Sequence, residues 1–243
     1  MPGLSSPRFF WIAANRYGAR LPPLDMALDE PNGLLAAHGD LSPPTLLAAY
    51  RAGVFPWYSA GQPILWWSPD PRAVLYPARF HVSRSLARTL RRGHFCVTAD
   101  REFAAVMRAC AMPRHADDGT WITDDMFAAY TALHALGHAH SFECWHGDKL
   151  AGGLYGVAIG RVFYGESMFS RMSDASKVAL AAACRWLANW GYALFDCQVA
   201  SGHLGTLGAV VLPRAQFAAA LSTLCAQEPS ESAWRVFEEP AAT

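Results

Sequence analysis

From residue 72 onward, stretches of strand composition alternate with stretches of helical periodicity, and this alternation limits the possible folds more than any other feature of the chain. "RAVLYP" is strand-like, "SRSLARTLRRG" is helical up to Gly93, "HFCVTAD" is a strand and "REFAAVMRACA" a helix. "TDDMFAAYTALHALG" is a helix with Thr123 at its N-cap and Gly137 as its stop. "AHSFECWHGDKLAGGLYGVAIGRVFYGESMFS" divides into three antiparallel strands turning at Gly147-Asp148 and Ile159-Gly160. The strongest helix is "SDASKVALAAACRWLANWG", capped by Ser173 or Asp174 and ended by Gly191. The strand "YALFDCQV" follows, then a short helical piece after His203, then "AVVLP" and the helix "RAQFAAALSTLCAQ". This order specifies an α/β (α+β) fold, a mixed central sheet flanked by helices.

The N-terminal part reads differently. Residues 1–30 are rich in Pro, Arg and aromatics and read as loop or edge. A helix starts in "DLSPPTLLAAYRAG", with Ser42 as N-cap, Pro43 and Pro44 in the first turn and Gly53 as its stop. The next segment, "FPWYSAGQPILWWSPDPR", holds Pro56, Pro63, Pro69 and Pro71, a density that argues against a central strand or a helix interior. It is expected to be a stiff loop, and it divides a small N-terminal unit, 1–71, from a larger one, 72–243.

Apolar residues make up 52% of the 243, enough for a sizeable core, and the formal net charge is zero. Attraction to nucleic acid must therefore come from a local basic patch. The six cysteines form no C-x-x-C pair, which points to a reduced, cytosolic compartment. "FFWIAA" is too short for a signal segment, and no apolar run approaches the ~18 residues a membrane span needs.

Most catalytic signatures are missing. There is no G-x-x-x-x-G-K-[ST] and no G-x-S-x-G, and "GGLYGVAIG" leads into a strand, so its glycines read as strand bends and close packing. His134 and His138 have the spacing of zinc ligands on a helix, but Gly137 breaks the helix between them. Ser167 and Ser170 have no His beside them in sequence, and His203 reads equally as a packing or a catalytic histidine.

Two features stand out. Arg84, Arg88, Arg91 and Arg92 share one helical face without a compensating acid, a pattern suited to phosphate. Asp196 and Gln198 sit two apart in a strand, so alternation points both to one face and Cys197 to the other.

"EPNGLLAAHGDLSPPTLLAAYRAGVFPWYSAGQPILWWSPDPRAVL", "GTWIT", "YGESMFSRMSDASKVAL" and "DCQVASGHLGTLGA" resemble the leucyl/phenylalanyl-tRNA–protein transferase family, in matching order and spacing from about Glu30 to about Pro213. The resemblance implies an acetyltransferase-like catalytic domain behind a smaller N-terminal domain. It also implies transfer of Leu or Phe, and less readily Met, from aminoacyl-tRNA to proteins beginning with Arg or Lys, which marks them for degradation. One departure is that Ser201-Gly202-His203 stands where the family often carries Asn-Asp-His.

The implied reaction is attack of an α-amine on an already activated ester, which calls for no ATP, metal or CoA. Family correspondence places Trp57, Trp121, Leu154, Phe163 and Met168 in an apolar slot for the transferred residue, while Phe195 reads as core. Glu166, a charge among apolar neighbours, is expected to meet the acceptor's cationic side chain, the alternative being an ion pair with an arginine such as Arg171. Gln198 is expected to orient the amine, with Asp196 accepting from the Gln198 NH₂ to fix the carboxamide. The Arg84, Arg88, Arg91 and Arg92 face is the expected tRNA contact, and a monomer is expected. A non-catalytic RNA-binding module would leave "DCQV" and "GESMF" without a role. A CoA-dependent N-acetyltransferase would need glycines where the chain has "FSRMSDASK".

Overall fold

Two sheets carry the strands of the computed structural model, which describes residues 10–12, 20–112, 120–234 and 238–240. The smaller is built from β1 (Phe10–Ile12) and β2 (Leu34–His38), with β3 (Phe55–Pro56) and β4 (Leu65–Trp67) following α1 (Pro43–Arg51); its order is β1-β2-β4-β3. Ser42 takes the N-cap position of α1 with extended backbone, but its hydroxyl donates to Thr45 Oγ1 at 3.1 Å instead of capping the helix. Gly53 ends the helix at φ +81°.

The proline-rich segment corrects the expectation of a loop. β4 is an inner strand, paired on one side with β2 and on the other with β3. Its three residues fall between Pro63 and Pro69, so no ladder N–H is lost, and Pro56 lies on the edge strand where a missing donor is tolerated. β2 was not foreseen either. Residues 1–9 and 13–19, and Gly119 of "GTWIT", lie outside the described residues.

The larger sheet follows. β5 (Arg72–Leu75) leads to α2 (Arg84–Arg91), β6 (Cys96–Ala99), α3 (Phe103–Ala111) and α4 (Asp124–Ala135). The meander β7 (Ala139–His146), β8 (Lys149–Ile159) and β9 (Val162–Ser170) comes next, then α5 (Ala175–Asn189) and β10 (Leu194–Gln198). α6 (Gly202–Thr206), β11 (Val210–Leu212), α7 (Arg214–Leu224) and β12 (Glu238–Pro240) complete the chain. Strand order is β11-β5-β10-β9-β8-β7-β6-β12, with β9 and β10 parallel and the other pairs antiparallel. The mixed sheet with flanking helices is the one expected. The second meander turn falls at Gly160-Arg161, one residue later than read from the sequence, and His203 lies inside α6 rather than before it.

Side-chain alternation divides the core. Leu154, Phe163 and Phe195 point toward α5, while Tyr155, Tyr164 and Leu194 point toward the face covered by α1, α4 and α7. The second cluster takes in Phe55 and Trp66 from the small sheet together with Tyr130 and Phe217, so apolar packing is continuous across position 71/72. α5 is rich in alanine and begins tight against β8: a Cβ on Gly152 would lie 2.8 Å from the Ala175 Cβ. Asp174 precedes it at φ +65°, with its carboxylate on Lys177 Nζ at 2.9 Å and on the Thr89 hydroxyl at 3.1 Å, which docks α2 beside the start of α5.

Candidate active site

Two irregularities in neighbouring strands build the site. On β9, Ser167 pairs with Tyr155 and Gly165 with Gly156, which leaves Glu166 as the extra residue of a bulge. On β10, Asp196 and Gln198 pair with adjacent residues of β5, so Cys197 is extra in a second bulge. The parallel pairing of β9 with β10 ends at Asp196 and Tyr164, and the strands part just where the bulges lie. Gln198 then sits at φ +62° in a three-residue turn closed by Val199 N–H to the Cys197 carbonyl at 2.7 Å. A side chain rarely occupies such a position, and the turn is a strained one.

The surrounding charges explain how the turn is held. Arg72, buried at the start of β5, donates to Asp196 from Nε at 2.8 Å and from Nη2 at 2.6 Å, and its Nη1 donates to the Gly53 carbonyl. Its guanidinium lies 4.8 Å from the ring centres of both Phe55 and Phe217. Asp196 Oδ1 also accepts the backbone N–H of Gln198 at 2.9 Å. The expected bond from the Gln198 NH₂ to Asp196 is therefore corrected: both Asp196 oxygens are taken by Arg72, and the Gln198 carboxamide donates to Glu166 Oε1 at 2.8 Å.

Glu166 in turn accepts from the Tyr130 hydroxyl at 3.0 Å, and the Tyr130 hydroxyl is in short contact with that of Tyr50. Burial pushes the Glu166 carboxyl up to about 7, against the opposing pull of the tyrosine hydrogen bonds. The alternative pairing with Arg171 does not form: that guanidinium lies over Phe169 and donates to the Leu150 carbonyl.

Two cavities meet at this carboxylate. The larger, about 500 Å³, is lined by Trp121, Leu154, Tyr155, Glu166, Met168, Leu180, Phe195, Cys197 and His203 among others. The smaller, about 260 Å³, is lined by Phe55, Pro56, Trp57, Trp121, Glu166, Gln198 and Val199. Trp57 is 49% exposed and edge-on to Trp67, as its loop-like setting suggested. Phe163 differs from expectation. It is fully buried, packs its ring 5.1 Å from that of Phe195, and lines neither cavity. Phe195, read as core, is itself a cavity wall.

The basic residues lie apart from this constellation. Arg84, Arg88 and Arg91 lie on α2 and Arg92 caps it; all four are exposed, and no acid pairs with them among the described residues. His134 and His140 bond instead to the Ala139 carbonyl and to Asp100.

The pattern now has relatives. A family model described as leucyl/phenylalanyl-tRNA protein transferase matches residues 74–222, and the model of that family's N-terminal domain matches 39–70. The chain belongs to the leucyl/phenylalanyl-tRNA–protein transferase family. The family member of Nitrosomonas europaea is 56% identical over 213 residues, covering 88% of this chain and 90% of the relative. Those of Stutzerimonas stutzeri and Methylococcus capsulatus are each 56% identical over 214 residues, covering 88% of this chain and 94% and 91% of theirs. The family match reaches into α7, beyond the Pro213 read from the sequence motifs.

Within this transferase-family site, sequence reasoning missed Arg72, Tyr50, Tyr130 and Tyr155. Arg72 carried a signal, since a lone charge opening an otherwise apolar strand asks for a buried partner. The tyrosines carried none, because a tyrosine on an apolar helix face or strand reads as ordinary core.

Proposed function

We propose that the protein transfers Leu and Phe, and Met less well, from aminoacyl-tRNA to the α-amine of proteins or peptides beginning with Arg or Lys, forming a peptide bond that tags the acceptor for degradation. One arrangement supports this above all: two adjoining cavities share Glu166 and Trp121, and Gln198 is bonded to that same Glu166. The larger cavity suits the transferred side chain, with Leu154, Met168 and Phe195 as apolar walls and Phe163 backing them. Such a pocket separates one methylene by only about 1–3 kcal/mol, so Leu, Phe and Met all enter.

The smaller cavity suits the acceptor's first residue. Trp57 and Val199 receive the aliphatic stem, and Glu166 is the one acid lining either cavity among the described residues. An N-terminal amine, with an ordinary pKa of roughly 7.7–8.0, is partly neutral near pH 7 and needs orientation more than a strong base. The Gln198 NH₂ is committed to Glu166, so its carbonyl oxygen is the group left to accept from the amine. Asp196 and Arg72 support it by fixing the backbone from which Gln198 projects. As the C–N bond forms and the ester C–O bond breaks, the amine's proton passes to the ribose oxygen.

Arg84, Arg88, Arg91 and Arg92 take the tRNA backbone in this reading, whose two units are 1–71 and 72–243. No helix among the described residues is long and apolar enough to cross a membrane; a cytoplasmic monomer is part of the proposal. The test mixes labelled Leu-tRNA with an Arg-initiated peptide and follows label into the peptide. Transfer is expected, and it should vanish when the peptide begins with Glu. Label absent from both peptides overturns the reading.

A further inference from the structure

Behind the apolar wall of the larger cavity stands a residue from the far end of the chain. Phe195 lines that cavity, and Phe163 packs against Phe195 with 5.1 Å between ring centres. The Trp234 indole stacks on Phe163 at 5.9 Å and 28°. The strand order β10-β9-β8-β7 puts Phe195 and Phe142 on opposite sides of Phe163, and Trp234 lies 5.5 Å from the Phe142 ring. Phe195, Phe163 and Trp234 thus form a row that leads from the cavity into the core.

The row has no slack toward the sheet. A Cβ on Gly156 would lie 2.7 Å from Phe163 Cε1, and one on Gly165 would lie 2.5 Å from Phe195 Cε1, so both rings rest on bare backbone. α5 covers them from the other side. With the sheet below and α5 above, the far end of the row decides how far the rings can withdraw from the cavity. Trp234 is fixed at that end. It stacks on His140 at 3.6 Å and 10°, and His140 is itself bonded to Asp100 at 2.6 Å. Its Nε1 donates to the Tyr192 hydroxyl at 2.7 Å. Its backbone stands at φ +61°, a conformation that a non-glycine residue keeps when its surroundings impose it.

We propose that Trp234 is a positioning residue for donor specificity: it holds Phe163 and Phe195 forward and so sets the depth of the cavity that takes the transferred side chain. The inference rests on the aminoacyl-transfer reading. Trp234 touches no substrate and acts through the two phenylalanines. Removing the indole leaves a void in a packed interior, which the neighbours refill in part by moving toward it. Phe163 moves away from the cavity when it does so, and Phe195 follows. The deeper slot then fits the ring of Phe better and leaves a gap around Leu, which loses dispersion contacts.

The probes are leucyl- and phenylalanyl-adenosine carrying an amide in place of the ester, so that calorimetry reads binding without turnover. The wild-type protein should bind both; if it binds neither, the transfer reading fails and takes this inference with it. Trp234→Ala should raise the preference for the phenylalanyl over the leucyl probe by about tenfold, the discrimination an apolar pocket achieves for roughly one methylene. A ratio of two affinities does not depend on the fraction of protein folded, so lost stability alone cannot produce the shift. Trp234→Phe keeps a ring in the row and should stay within about threefold of wild type. Trp234→Leu carries the test if the alanine variant does not fold, with a smaller shift in the same direction expected. A preference within about twofold of wild type in the alanine or leucine variant overturns the proposal. So does an equal shift in Trp234→Phe, which would trace the effect to the lost Tyr192 bond rather than to the filled row.

Discussion

Gln198 donates to Oδ1 of Asp196 through its backbone N–H at 2.9 Å, and not through its carboxamide. The acid therefore governs where the amide stands, while Glu166, on the next strand, governs which way the amide faces. This division of labour separates the effects of substitutions that a direct Asp–Gln pair would have merged.

Gln198→Gly is expected to abolish most transfer without loss of fold. A non-glycine residue at φ +62° carries roughly 1–2 kcal/mol of strain, offset on mutation by the ~0.5–1 kcal/mol entropic penalty of glycine. Tm should hold or rise slightly while kcat falls about 100-fold, since the amine is no longer oriented. Calorimetry and single-turnover transfer on one preparation check this; a marked drop in Tm contradicts it.

Asp196→Asn should act on stability. It leaves the Arg72 guanidinium, 1% exposed, without its counter-charge, a change worth about 3–5 kcal/mol in urea denaturation. Replacing both partners, Arg72→Met with Asp196→Leu, should restore much of that loss but not transfer, because the Gln198 N–H has lost its acceptor. Recovery of transfer in the double variant would show that Asp196 does not hold the turn.

Glu166 gives the pH dependence. Its carboxyl rises from 4.5 to about 7, mainly through burial. Between these values the folded protein keeps a proton that the unfolded chain has released, so stability falls as pH rises from 4.5 to 7 and then levels off. At 1.36 kcal/mol per pH unit the full effect is about 3 kcal/mol, and contact with the cavity reduces it to about 2 kcal/mol. Glu166→Gln should therefore gain about 2 kcal/mol over the parent at pH 8 and nothing at pH 4. Transfer should fall as pH drops through about 7 in the parent, and this limb should be missing in the variant's residual rate. Equal stabilities of the two proteins at pH 8 would contradict the assignment.

The arginine face predicts a salt effect. Arg88→Gln with Arg91→Gln should raise KM for aminoacyl-tRNA and lower the slope of log affinity against log salt by about 1.5–2. Both residues are exposed, so Tm should not move. An aminoacyl-adenosine donor, which lacks the tRNA body, should be used equally well by both proteins; an equal defect with that donor would place the arginines elsewhere in the mechanism.

Much of this architecture was legible because it rests on local chemistry. Gly53, Gly93, Gly137 and Gly191 stop helices as read, each at positive φ, and Thr123 caps α4 by accepting from Met126 N–H. β4 was illegible because three residues between prolines give no period to read. At the site, alternation correctly grouped Asp196 with Gln198, but a bulge has no signature in one sequence, so the exchange of partners could not be seen. Arg72 lies 124 residues from Asp196, and only the folded sheet shows that this charge answers that one. Glu166 was found because an acid among apolar neighbours demands an explanation wherever it lies.

Two chambers with one common wall have a kinetic corollary. Either can be filled while the other stands vacant, so nothing in the architecture enforces which reactant arrives first. Initial velocities measured against both reactants should give intersecting lines with no compulsory order, because both chambers must be filled together before the bond is exchanged; parallel lines would contradict this.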